Sequence, residues 1–450
     1  MAKKYSLFFV FLTTLLVFTS CGRKEGDAPA KQNLKSIIEN LKSKQEKTRY
    51  RALDELRKYA NKGLSPAEGK QALEAAALIF PPQKYESQNS AAELVSAAAV
   101  KPYLEYAPII EKNFSLYAAD VRVESLRLLS TLKERAAIET YMKLLRSYAP
   151  AGKIPHLATG SLEQEPRYAD LIFPELLTFA DIPNFEWSVY VLCLEYFKKG
   201  LLSADRMRPY VKGALKAYRK YREKLMPLQR DTGIDWMWAE AYQEWRGGAG
   251  LLLDVLGYFG GSSSRDELRN ALNYSDPRLK FFAALSLLRM GEPVAGEHFL
   301  STAASAEMRK WLFEELTNLN RLDLFPPQYA NQEALAESEM VDWLIFPTEL
   351  GRVPDGIELM KVYSLDAGPP GGLLDYYLFR FKTHPPHWAA EEGWLAGIAG
   401  PYRRREAPTA EALGSTFSQF HKWEDMTADE HFKSIVGLQD EWAEKHQPNR

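Results

Sequence analysis

Two imidazoles and two carboxylates fall close together in Lys382-Thr-His384-Pro-Pro-His387-Trp388-Ala-Ala-Glu391-Glu392. His384, His387 and Glu391 are ligand types that a tetrahedral zinc site takes. Their spacing favours another role. The two prolines keep the histidines off a common helix, so the i, i+4 arrangement of helical zinc proteases is absent. His387-Trp388 reads instead as a helix opening, with the prolines as its entry and Glu391 and Glu392 in the first turns, where carboxylates suit the dipole. Packing is the favoured reading, and a metal or acid–base site the competing one.

A second candidate is Asp235-Trp236-Met-Trp238-Ala-Glu240-Ala-Tyr242-Gln-Glu244-Trp245-Arg246. On one helix, Trp238, Tyr242 and Trp245 share a face at spacings of four and three. Such a stripe could stack on sugar rings or grip a partner, with Glu240 and Glu244 as paired acids. An aromatic stripe at helical spacing more often faces a core, and that reading is preferred. The glycines of Gly247-Gly-Ala-Gly250 and Gly368 to Gly372 lack the spacing and lysine of a phosphate loop, and read as turns or close-packing sites. Arg403, Arg404 and Arg405 form a short basic run that could touch anionic headgroups or simply be solvated.

At the N-terminus, Lys3 and Lys4 precede an apolar run from Leu7 to Phe18 that only Thr13 and Thr14 interrupt, a pattern suited to a secretory signal and short for a membrane span. Val17-Phe-Thr-Ser-Cys21-Gly22 then resembles the lipobox of bacterial lipoproteins, in which small residues precede an acylated cysteine. The resemblance implies that residues 1–20 are a signal peptide, that Cys21 is the lipid-modified first residue, and that 21–33 form a flexible tether. The resemblance to lipoproteins that lack Asp immediately after the cysteine implies the outer membrane, with the body facing the periplasm. With Cys21 acylated, Cys193 has no partner for a disulfide, and its apolar surroundings predict a buried, inert thiol.

The elements that must position these residues read as helices. Leu34, Ile37, Ile38 and Leu41 follow the i, i+3, i+4, i+7 pattern, as do Ile138, Tyr141, Met142 and Leu145. Ser275-Asp276-Pro277 supplies an N-cap and a first-turn proline, and Gly291 with Pro293 stops the helix that follows. Asp276-Pro-Arg-Leu-Lys-Phe-Phe-Ala-Ala-Leu-Ser-Leu-Leu-Arg-Met-Gly291 resembles HEAT-like repeats, and Asp120 to Leu129 resembles the same opening more loosely. The resemblance implies an all-α protein, an α-solenoid of helical pairs with a concave binding surface. We divide it into repeats at 34–150 and 151–327, followed by a less regular, mainly helical unit at 328–450 that is richer in proline, glycine and aromatics. Within that unit Leu373 to Phe381 fits either a helix or a strand. Leu78-Ile-Phe-Pro81, Leu171-Ile-Phe-Pro174 and Leu344-Ile-Phe-Pro347 are near copies that read as helix exits.

With 450 residues, 46% hydrophobic and 26% charged, the chain can bury large cores without staples. A formal charge of -2 and the lack of a long basic block exclude the electrostatic footprint of a nucleic-acid binder. Together these readings predict a membrane-anchored envelope lipoprotein that binds a protein partner as a helical-repeat scaffold, with no cofactor and no chemistry required. The alternatives are an envelope enzyme or carbohydrate-binding protein using the aromatic stripe or the His384/His387 segment, and a structural cap in an envelope complex.

Overall fold

The computed structural model describes residues 33–446 except 86–87, 165, 231, 234, 347–350, 369–370, 384–392, 406 and 420. Cys21, the signal and most of the tether, and the set His384, His387 and Glu391 lie outside the described residues. The described chain is mostly helical, with one small antiparallel sheet. It divides into two compact units, 33–221 with 258–261, and 222–257 with 262–446. The 151–327 segment therefore contributes to both.

In the first unit, Asn33 accepts the Ser36 N–H at 2.9 Å and opens the helix Leu34–Leu41, which buries Leu34, Ile37, Ile38 and Leu41 against Glu46–Ala60. Pro66–Ala75 opens with a Ser65/Glu68 capping box and packs on Ser90–Ala99, which in turn meets Ala119–Thr131. The latter packs on Arg135–Tyr148, where Ile138, Tyr141, Met142 and Leu145 are buried. Each of these helices thus packs on the next or the next but one in sequence. Cys193 is buried in the helix Glu186–Lys198, and burial pushes its thiol well above the usual range, as suits an inert side chain.

In the second unit, helices Ser262–Ala271, Pro277–Arg289, Gly296–Ala304 and Ala306–Asn318 pack consecutively, and Ala306–Asn318 packs on Gln332–Ile345. Asp276 caps Pro277–Arg289, which ends before Gly291 at φ 75°.

The expectation of an all-α chain, with a mainly helical unit at 328–450, is corrected here. Its middle is a sheet of β1 (Gly356–Asp366), β2 (Leu373–Thr383), β3 (Gly393–Arg403) and β4 (Phe417–Gln419) in the order β1-β2-β3-β4, every pair antiparallel. The strand alternative for Leu373 to Phe381 holds. Along β2 and β3 both faces are covered, so these strands carry near-continuous apolar runs instead of the alternation that marks a one-sided sheet, while β1 is largely exposed. Tyr377, Phe379, Phe381 and Tyr402 pack under Ala336, Met340 and Leu344 of Gln332–Ile345. Leu378, Ala396 and Ile398 pack on Phe432 and Ile435 of the closing helix Ala428–His446. Gly397 permits the first contact, because a Cβ there would stand 2.5 Å from Met340 Cε.

Candidate functional site

The aromatic stripe leads into the interior of the second unit. Trp238 closes the single turn Asp235–Trp238, and Tyr242 and Trp245 belong to the helix Glu240–Phe259 that follows. The break between them removes the single helical face that the spacing implies. Tyr242 is 1% exposed and donates its hydroxyl to Asp276 Oδ2 at 2.8 Å. Trp238 and Trp245 are half-buried, while Glu240 and Glu244 are exposed. The Arg246 guanidinium lies 5.5 Å from the centre of the Trp238 ring, within the range of a cation–π contact.

Arg246 is the centre of this arrangement. Its Nε and Nη2 donate to Asp276 at 2.7 and 3.0 Å, and its Nη1 and Nη2 donate to Glu307 at 3.1 and 3.2 Å. Asp276 accepts from Arg246 twice, from Tyr242, and from the Arg278 N–H at 2.8 Å as the helix cap. Those four bonds fill the acceptor capacity of a carboxylate. Arg278 adds a second positive charge, 3.7 Å from Glu307 and 5.3 Å from the Trp311 ring. Burial alone would raise the Asp276 carboxyl, but the charge and hydrogen bonds of Arg246 outweigh it and hold the group below its ordinary range. Burial, followed by repulsion from Arg246, brings Arg278 down to about 10. With its carboxylates and guanidinium committed to one another, the Arg246–Asp276–Glu307 centre fastens three helices and offers no unpaired group to a reactant.

Neither Arg246 nor Glu307 stood out in the sequence, and Asp276 was legible only as a cap. The available signal was an arginine opening onto Gly-Gly-Ala-Gly and then an apolar helical run, where a charge demands a partner. The C-terminal histidines gave a similar ambiguity. His431 is fully buried, stacked on Trp423 at 4.8 Å, and held between Gln419 and the Trp423 carbonyl. Among the described residues no group of three His, Cys, Asp or Glu side chains could hold a metal ion, and no helix is long and apolar enough to cross a membrane.

A different kind of site lies in the first unit. The helix Pro66–Ala75 exits into Leu78-Ile-Phe-Pro81, which forms one wall of a cleft of about 570 Å³. Leu116, Asp120 and Arg122 line the cleft as well. Ile79 is 97% exposed and Leu116 66%, whereas the equivalent Ile172 of the second Leu-Ile-Phe-Pro copy is fully buried. Side-chain hydrogen bonds tie the backbone beside these apolar residues. Arg49 Nη2 donates to the Pro82 carbonyl at 2.6 Å, and Arg122 donates to the Phe114 and Ser115 carbonyls, each at 3.1 Å. Asn89, whose side chain caps Ser90–Ala99, also bonds Asp120 across the cleft. This is a pre-formed recess with apolar residues presented to solvent, a geometry suited to taking an apolar side chain from another molecule.

No protein-family model, curated protein or solved structure matches this chain.

Proposed function

We propose that the protein is a lipid-anchored scaffold of the bacterial cell envelope whose helical body binds a protein partner in the Leu78–Pro81 cleft. In this reading Cys21 carries the lipid, the anchor lies in the outer membrane, and the body, a solenoid of HEAT-like pairs, faces the periplasm. The packing of each helix on the next or the next but one in sequence supports a repeat body. The observation that carries the binding role is the exposure of Ile79 on braced backbone, where the same residue in the second copy is wholly buried. An isoleucine held out of contact on a rigid wall gains by desolvation when a partner covers it.

The anchor is tested by Cys21→Ser, which is expected to release the protein from membranes or to stall it as an unprocessed precursor. Unchanged processing and membrane attachment of that variant would remove the lipid from the proposal. The cleft is tested by Ile79→Asp, which should abolish capture of the partner while leaving the helical content intact. Recovery of the same proteins by the variant and the native chain would reject the cleft as the binding site.

A further inference from the structure

The outer edge of the sheet is open at β1. This 11-residue strand pairs with β2 on one side only, and among the described residues no hydrogen bond outside that ladder reaches its backbone. Met360, Val362 and Leu365 are exposed on it. The closing helix reaches β1 through Phe432, stacked on Tyr363 at 3.9 Å, and through Asp429, which accepts from Lys361 at 2.8 Å. A long edge with apolar side chains and unpaired backbone groups is a template for one more strand.

A bulge sets which residues of β1 share a face. Leu359 lies opposite Phe379 and Lys361 opposite Leu378, so Met360 is the additional residue and the alternation restarts after it. Glu358, opposite Arg380, and Lys361 therefore stand on the same face although three residues apart. Ile357, Leu359 and Val362 stand on the other, opposite Phe381, Phe379 and Tyr377. Consider two β1 strands paired antiparallel about a two-fold axis between Leu359 and Met360. Glu358 of each copy then faces Lys361 of the other, and on the opposite face Ile357 meets Val362 in the same way. Every contact occurs twice, as a two-fold interface requires. Both charged groups have capacity for the contact. Arg380 Nε and Nη2 donate to Glu358 Oε2 at 2.8 and 2.6 Å, and no described group donates to Oε1. The Lys361 ammonium has donors beyond the one given to Asp429.

We infer that two copies of this chain pair edge to edge through β1, joining their sheets into one continuous sheet. A second copy fits this edge better than an unrelated peptide because the strand complements itself, charge to charge on one face and aliphatic to aliphatic on the other. Slipping the pairing by one residue sets residues of opposite faces against each other, so the matched register is specified by the pleat as well as by charge. The inference does not depend on the cleft in the first unit.

The test is sedimentation equilibrium of the full chain in density-matched detergent at about 50 µM, where a pair of about 10 µM affinity is mostly assembled. The native protein is expected to sediment as two chains. Glu358→Lys sets lysine against lysine twice across the axis, and Lys361→Glu sets glutamate against glutamate twice. Each variant alone should pair about ten-fold more weakly or worse. An equimolar mixture of the two variants should recover the two-chain species, because opposite charges then face each other at both positions. Each substitution also removes an internal ion pair, with Arg380 or with Asp429, and recovery on mixing separates lost pairing from lost folding. A native protein that sediments as one chain, variants that pair like the native protein, or a mixture that stays single would overturn the inference.

Discussion

Arg246 illustrates how a single buried charge can organise several helices. Its guanidinium is 1% exposed and meets both Asp276 and Glu307, so deleting it leaves Asp276 buried without its paired guanidinium and Glu307 with Arg278 alone, 3.7 Å away. Breaking a buried pair from one side costs about 3–5 kcal/mol. Arg246→Met is accordingly expected to lower the unfolding free energy of the second unit by that order in urea titration, and a loss below about 1 kcal/mol would contradict the assignment. Asp342 makes the opposite case. Burial raises its carboxyl above the ordinary range despite Lys310, and it stands in the last turn of Gln332–Ile345, where a negative charge opposes the dipole. A carboxyl with a raised folded-state value destabilises in its charged form. That destabilisation is absent below the unfolded-state value, near 3.9, and sets in as pH rises through the folded-state one. Asp342→Asn should therefore stabilise the protein by about 0.5–1 kcal/mol at pH 7, with the gain vanishing below about pH 3.5. A gain equal at both pH values, measured by thermal unfolding, would refute the electrostatic explanation. The charged cluster around Arg246 was legible only in part. Asp276 announced itself by position, as a cap before Pro277, but its second role depends on helices 30 or more residues away in the chain, which no local pattern encodes.

At the scale of elements, close approach of backbones decides where glycine is required. A Cβ on Gly257 would lie 2.8 Å from the Ser286 Cα, and Ser286 Oγ donates to the Leu253 carbonyl at 2.9 Å, so Pro277–Arg289 crosses Glu240–Phe259 almost in backbone contact. Gly257→Ala would gain up to about 1 kcal/mol of helix propensity but forces this crossing apart, and overpacking of that kind costs about 1–3 kcal/mol. A net loss of stability in thermal unfolding is expected, and an increase would show that the crossing can relax. Helices of this kind were legible because one apolar stripe faces one core, as with Leu34, Ile37, Ile38 and Leu41. The sheet was not, because β2 and β3 are sandwiched. Leu-Leu-Asp-Tyr-Tyr-Leu-Phe-Arg-Phe of β2 sends Tyr377, Phe379 and Phe381 to one helix and Leu378 to the other, which erases the two-residue alternation. The Leu-Ile-Phe-Pro copies were legible as helix exits, but the tetrapeptide is identical in all three, so the contrast between buried Ile172 and exposed Ile79 comes wholly from what surrounds each one.

For the whole molecule, the proposed division of labour places attachment at Cys21 and recognition in the first helical unit, with the second unit held together by paired charges and capped by the sheet. The aromatic stripe that suggested a sugar platform is spent differently: Tyr242 gives its hydroxyl to Asp276, and the Trp238 ring accompanies Arg246. The cleft at Leu78–Pro81 presents open apolar surface beside hydrogen-bonded backbone. Its role as a protein-docking site is the central claim, and a crosslink formed in living cells tests it most directly. A photo-activated crosslinking amino acid in place of Ile79, compared with the same residue in place of the buried Ile172, reports what touches each position. The account predicts a discrete adduct with another protein chain from position 79 and none from position 172. No adduct at position 79, or the same adducts from both, would contradict it.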